Sequence, residues 1–142
     1  MHRLIIIGLF WATAVISPGA AHAQAQPVVL ATGTFQGADA AHRGEGRALL
    51  VRLADGQRFL RFEQFRVTNG PDLYVYLSGY PAPRNSAQLH EGATHDVGVL
   101  KGNVGSQNYA LPTDLDLAKF KSAVIYCKRF SVIFATAELV RN

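Results

Sequence analysis

RALLVRLADGQRFLRF, Arg47 to Phe62, carries two apolar runs on either side of Ala-Asp-Gly. Leu49, Val51 and Leu53 fall at every second position, with Arg52 between them. A strand has a side-chain period of two, so this spacing predicts one apolar face and one wet face. Asp55-Gly56 offers a two-residue turn, because glycine accepts the positive φ that a tight hairpin demands. Arg58 to Phe62 then returns, and the stretch predicts a β-hairpin.

The same rhythm continues outward. Val28, Val29 and Leu30 begin an extended segment. Thr68-Asn69-Gly70-Pro71-Asp72 is a turn cluster. Beyond it, Leu73, Val75 and Leu77 point one way and Tyr74 and Tyr76 the other, which predicts a strand covered on both faces. Residues 78–96 show no period. Pro81, Pro83, Asn85 and Gly92 mark that stretch as a long loop, the kind of segment that often carries function. Val97 to Leu100 reads as a short strand, and Tyr109 to Leu111 as extended. Thr113-Asp114 can cap a short helix running through Lys121, the only helix expected. Ala123 to Tyr126 and Ser131 to Leu139 form either one long strand or a hairpin through Lys128-Arg129-Phe130. The hairpin is favoured, since a continuous strand of ~17 residues exceeds the usual length. Many short strands and few helices predict an all-β fold, an antiparallel β-sandwich or small barrel with one short helix.

The chain of 142 residues opens MHRLIIIGLFWATAVISPGAAHAQAQ. A basic start at Arg3, an apolar run from Leu4 to Ile16 and Ala21-His22-Ala23 together have the form of a secretory signal cut after Ala23. Thirteen apolar residues are too few for a bilayer-spanning helix, which needs ~20, so no membrane span is expected after cleavage. The expected division is residues 1–23 as signal and residues 24–142 as one domain, in the periplasm or secreted. Losing Arg3 leaves 13 basic residues against 10 acidic ones, a net charge of +3. The arginines are scattered rather than clustered, which argues against a nucleic-acid partner. Trp11 and Met1 also lie in the signal, so the expected mature protein has neither residue type.

Familiar chemical motifs are missing. No GxSxG elbow, P-loop or dinucleotide-type glycine pattern occurs. His90-Glu91 and His95-Asp96 lie near one another, but at a spacing that no helix fixes, and do not predict a metal site. One cysteine remains, Cys127, in VIYCKRFSVIF. A free cysteine often behaves as a small buried hydrophobe. In an oxidising compartment a lone thiol has no internal partner and is a candidate for reactivity. Lys128 and Arg129 favour a thiolate if a turn at that point brings them close to it.

Several segments in their order resemble the DM13 domain family: GTF (33–35), HRGEGRALL (42–50), FRVTNGPDLYVYLS (65–78), LKGNVGSQNYALP (100–112) and SAVIYCKRFSVIFATAEL (122–139). The resemblance spans about residues 28–140. It implies a β-sandwich module of extracytoplasmic electron-transfer systems, a class often joined to haem-binding DOMON-type domains. It also places the family's characteristic cysteine on Cys127, as a redox thiol or as the holder of a prosthetic group. A cofactor is not identified; haem is the candidate, with Cys127 as ligand and His42 or a loop histidine opposite. No fused haem module is read in this chain, so a separate redox partner protein is expected, in a non-enzymatic module rather than an enzyme. The alternative is a binding or adhesion module in which Tyr74, Tyr76, Lys128 and Arg129 lie on a contact surface and Cys127 is core packing.

Overall fold

The computed structural model describes residues 25–142, together with residues 14, 15, 17 and 19. The signal read at 1–23 therefore lies outside the described residues but for those isolated positions. Nine strands follow: β1 (Val28–Gly37), β2 (Gly44–Arg52), β3 (Arg58–Val67), β4 (Leu73–Ser78), β5 (Thr94–Val99), β6 (Gln107–Leu111), β7 (Ser122–Cys127), β8 (Val132–Glu138) and β9 (Val140–Arg141). The eight longer strands join antiparallel in the order β5-β4-β7-β8-β1-β2-β3-β6, and β9 pairs with β1. The sheet wraps into a nearly closed barrel, in line with the all-β expectation. β1 is the hinge of the wrap. Its first part, Val28–Thr34, pairs with β2, and its last part, Phe35–Gly37, pairs with β8.

The β2–β3 hairpin forms where the sequence places it, with two differences. Arg52 pairs with Arg58, and Leu53 N–H donates to the Gln57 carbonyl at 2.8 Å. Gly56 N–H donates to the Leu53 carbonyl at 3.0 Å, with Gly56 at φ +87°. The loop is thus Ala54-Asp55-Gly56, three residues closed by a left-handed glycine, rather than the two residues expected. The buried face is also the opposite one. Ala48 and Leu50 pair with Phe62 and Leu60 and enter the main core, whereas Leu49, itself buried, and half-buried Val51 lie on the other face. Arg52 misled the face assignment because it ends the strand, where a long side chain reaches water from either face.

β3 shows how an extra residue resets a strand. Its buried residues run Leu60, Phe62, then Phe65 and Val67. The register slips between Glu45 and Arg47 of β2, and Gln64 adopts φ +49° opposite Gly46 at φ +102°. This bulge restores the inward alternation, so both halves of β3 feed one core. Phe35 meets Phe62 edge-on at 4.8 Å and Phe65 at 5.0 Å, and Phe62 meets Tyr109 at 5.3 Å. Full burial of each such side chain stabilises the fold by about 1.5–3 kcal/mol.

β4 has two covered faces, as its sequence suggested. Leu73, Val75 and Leu77 enter the main core. Tyr76 belongs to a second cluster on the outer face with Val124, Tyr126, Ile133 and Leu89, and Tyr74 packs against it. The segment that covers this outer face is the stretch expected to be a loop. It contains a four-residue helix, α1 (Ser86–Leu89), capped by Asn85, whose Oδ1 accepts from Gln88 N–H at 2.9 Å. Buried Ser78 donates to the Leu89 carbonyl at 2.8 Å, and Ser122 donates to the Tyr80 carbonyl at 2.7 Å. These hydroxyls fasten the segment down without leaving an unpaired buried group. β5 begins at Thr94, so the true loop is shorter than expected. The helix expected at 113–121 is a single 3-10 turn, Leu117–Lys119, capped by Asp116. Leu117 and Phe120 are buried three residues apart, a spacing that suits three residues per turn.

Candidate functional site

Cys127 is the last residue of β7. Along that strand Ala123, Ile125 and Cys127 face the main core, while Val124 and Tyr126 face outward. Cys127 pairs in register with Leu73 on one side and Val132 on the other, and its exposure is 0%. No disulfide is available to it.

The chain turns immediately after it. β7 and β8 form a hairpin, which resolves the alternative left open by the sequence. Ser131 N–H donates to the Lys128 carbonyl at 3.3 Å, and Ser131 sits at φ +53°. Lys128 does not reach toward the thiol face. Its ammonium donates to Asp96 Oδ2 at 2.6 Å and lies 3.7 Å from the centre of the Tyr74 ring, both on the outer face. The hydrogen bond that Lys128 donates to Asp96 is the main reason that its pKa is held above the ordinary lysine value. Arg129 and Phe130 are exposed at the tip of the turn.

His42 lies in the bend after β1. A carboxylate only accepts, so His42 Nδ1 donates to Asp39 Oδ2 at 2.7 Å. That hydrogen bond is the largest cause of Asp39 lying below the usual carboxylate range. The His42 ring packs on Phe134 at 4.3 Å. Nearby, a cleft of about 650 Å³ is lined by Asp39, Arg43, Glu45, Arg66 and Thr68. A second, of about 300 Å³, lies between Pro83, Arg84, Thr136 and Glu138. Neither cleft is lined by Cys127 or His42. Among the described residues no three His, Cys, Asp or Glu side chains converge as metal ligands. The Cys127 sulfur is fully buried in the apolar core cluster.

Tyr74 and Tyr76 belong to an outer-face cluster larger than the sequence suggested. Tyr76 meets Tyr126 edge-on at 5.5 Å, and His90 stands 6.1 Å and 6.0 Å from the two rings. The Tyr126 hydroxyl shares a hydrogen bond with Ser86 Oγ at 2.7 Å. Tyr76 O–H donates to Asp96 Oδ2 at a long 3.4 Å. Tyr126 could have been found from its parity with Val124 in β7. Asp96 and His90 could not, because it is the β4–β5 register that sets Asp96 beside Tyr76.

A family model described as "Electron transfer DM13" matches residues 34–139, most of the chain. The chain belongs to the DM13 family. No curated protein and no solved structure matches it significantly. The match begins inside β1, at Thr34, and ends just after β8, at Leu139, so it takes in β2 to β8 and the last four residues of β1. Within the matched residues, β4 and the β7–β8 hairpin are neighbours in the sheet. Their shared ladder holds Cys127 against Leu73 and Tyr126 against Tyr74. No helix of the described residues is long and apolar enough to cross a membrane.

Proposed function

We propose that this DM13 protein is an exported, non-enzymatic electron-transfer module that works with a separate redox partner, and that Cys127 is its redox group. The observation that carries this reading is the position of the thiol. The single cysteine of the chain ends the central strand β7, one residue before a turn that presents Arg129 and Phe130 to solvent. Cys127 is fully buried, so a partner reaches the sulfur when the end of the hairpin opens locally. The reaction class is thiol–disulfide exchange. Cys127 sulfur forms a bond to one sulfur of a partner disulfide, the partner's S–S bond breaks, and the departing sulfur takes up the proton that Cys127 lost. A partner thiol reverses the step. Export is supported by the signal-like opening of the sequence, which also gives the thiol no internal partner.

Full burial of Cys127 favours a second reading, a binding module in which the thiol only packs. Native-state labelling separates the two. The protein is treated with N-ethylmaleimide across a urea series below the unfolding transition and followed by intact mass. Under the redox reading the thiol labels through local opening of the hairpin end, at a rate nearly independent of urea. A rate that rises with the same urea dependence as global unfolding supports packing and overturns the redox role.

A further inference from the structure

We propose that Tyr76 and Tyr126 form a one-electron redox site on the outer face of the sheet, on the side opposite Cys127. The first observation is chemical. Residues 25–142 contain no tryptophan and no methionine, so the readily oxidised side chains there are one cysteine and five tyrosines. Tyr74, Tyr76 and Tyr126 are gathered on one face, and two of them are nearly buried, at 8% and 4% exposure. The second observation is geometric. The Tyr76 and Tyr126 rings meet edge-on at 5.5 Å, and exposed His90 stands about equally far from both. The pair therefore lies close beneath the surface, within short reach of a partner docked there.

The third observation is the route for the proton. Burial first, and the Asp96 charge second, hold the Tyr76 phenol above its ordinary pKa. It is therefore protonated at neutral pH, and oxidation must move a proton with the electron. Asp96 is the acceptor at hand. Its Oδ2 lies 3.4 Å from the Tyr76 hydroxyl and 2.6 Å from the Lys128 ammonium, and a carboxylate has lone pairs for both. The step balances as follows: Tyr76 gives one electron to a one-electron oxidant and its hydroxyl proton to Asp96, leaving a neutral phenoxyl. Return of one electron and the same proton restores the phenol. Tyr126 is the neighbouring phenol, its ring 5.5 Å from that of Tyr76 and its hydroxyl bonded to Ser86.

The test is photo-oxidation of the purified protein with ruthenium tris-bipyridine and persulfate, read by EPR on freeze-trapped samples. A phenoxyl signal is expected in the unsubstituted protein and in Tyr80→Phe, Tyr109→Phe and Cys127→Ser. The double variant Tyr76→Phe, Tyr126→Phe, checked for folding by circular dichroism, is expected to lose most of it. A signal that survives in the double variant, or that falls as much in Tyr109→Phe, overturns the proposal. Asp96→Asn is expected to slow the oxidation and to shrink its solvent deuterium effect. An unchanged rate and isotope effect would remove Asp96 from the mechanism. Cys127→Ser keeps the two ideas apart, since failure of the thiol reading leaves the phenoxyl signal in place.

Discussion

Two hairpins of this barrel are closed by the same kind of hydrogen bond, from a left-handed residue to the carbonyl three residues before it, and differ in loop length and in that residue. In β2–β3 the N–H of Gly56 bonds the Leu53 carbonyl, and Gly56 is left-handed. In β7–β8 the N–H of Ser131 bonds the Lys128 carbonyl, and Ser131 is left-handed. Glycine adopts that conformation freely, whereas an L side chain there costs about 1–2 kcal/mol. The second hairpin carries this cost and is held by other means. Lys128 N–H bonds the Asp72 carbonyl at 3.1 Å, and the Lys128 side chain binds Asp96 and the Tyr74 ring. The first hairpin is specified locally by its loop, and the second is held by its neighbours. The second is also the one that carries the thiol on one face and Tyr126 of the tyrosine cluster on the other.

The sharpest way to break the first hairpin is at its core anchor. Phe62→Ala, which removes a fully buried ring, should lower stability by about 3–5 kcal/mol. Urea unfolding checks this through a lower midpoint at unchanged slope. A loss below about 1 kcal/mol would mean that β3 does not depend on this packing.

The turns themselves give the next effect. A Cβ on Gly56 meets no atom within 4 Å, so Gly56→Ala tests the backbone conformation alone and should cost about 1 kcal/mol. Ser131→Gly should act with the opposite sign but more weakly. It relieves the left-handed strain of Ser131, yet a glycine loosens the unfolded chain by a comparable amount, leaving a net gain of about 0.5 kcal/mol. If the two variants shifted the urea midpoint in the same direction, the parallel between the hairpins would fail.

The smallest expected effect is a pH dependence. Lys128 has a folded pKa raised above its ordinary value, so its contribution is fully present below that ordinary value. The contribution is lost as pH rises through the raised folded value. The gap in melting temperature between the unsubstituted protein and Lys128→Met should therefore stay constant up to about pH 10 and narrow above it. A gap that is the same at every pH would mean that the ion pair does not hold the hairpin.

Much of this was legible beforehand, and the exceptions share a cause. Asp55-Gly56 and the apolar alternation around it identify the first hairpin, because glycine is a local signal. Lys128-Arg129-Phe130-Ser131 carries no such residue, so its turn had to be argued from strand length. The short helix appeared in the wrong loop. Asn85-Ser86 is as good a cap as Thr113-Asp114, and only packing of Leu89 and Pro83 under the sheet selects it. The Cys127 candidate stood out as the lone thiol, with burial as one of its readings, but the departure of Lys128 to the opposite face did not stand out.

By itself the sequence determined the all-β class, most of the strand positions, the two-faced character of β4 and membership of the DM13 family. These depend on side-chain period and turn chemistry, which act over a few residues. Tertiary structure alone decided which face of β2 enters the core, where Asp96 and His90 stand, and that the tyrosines gather on the face opposite the thiol. Those outcomes depend on register between strands far apart in the chain. A shift of one residue would send every side chain of a strand to the other face.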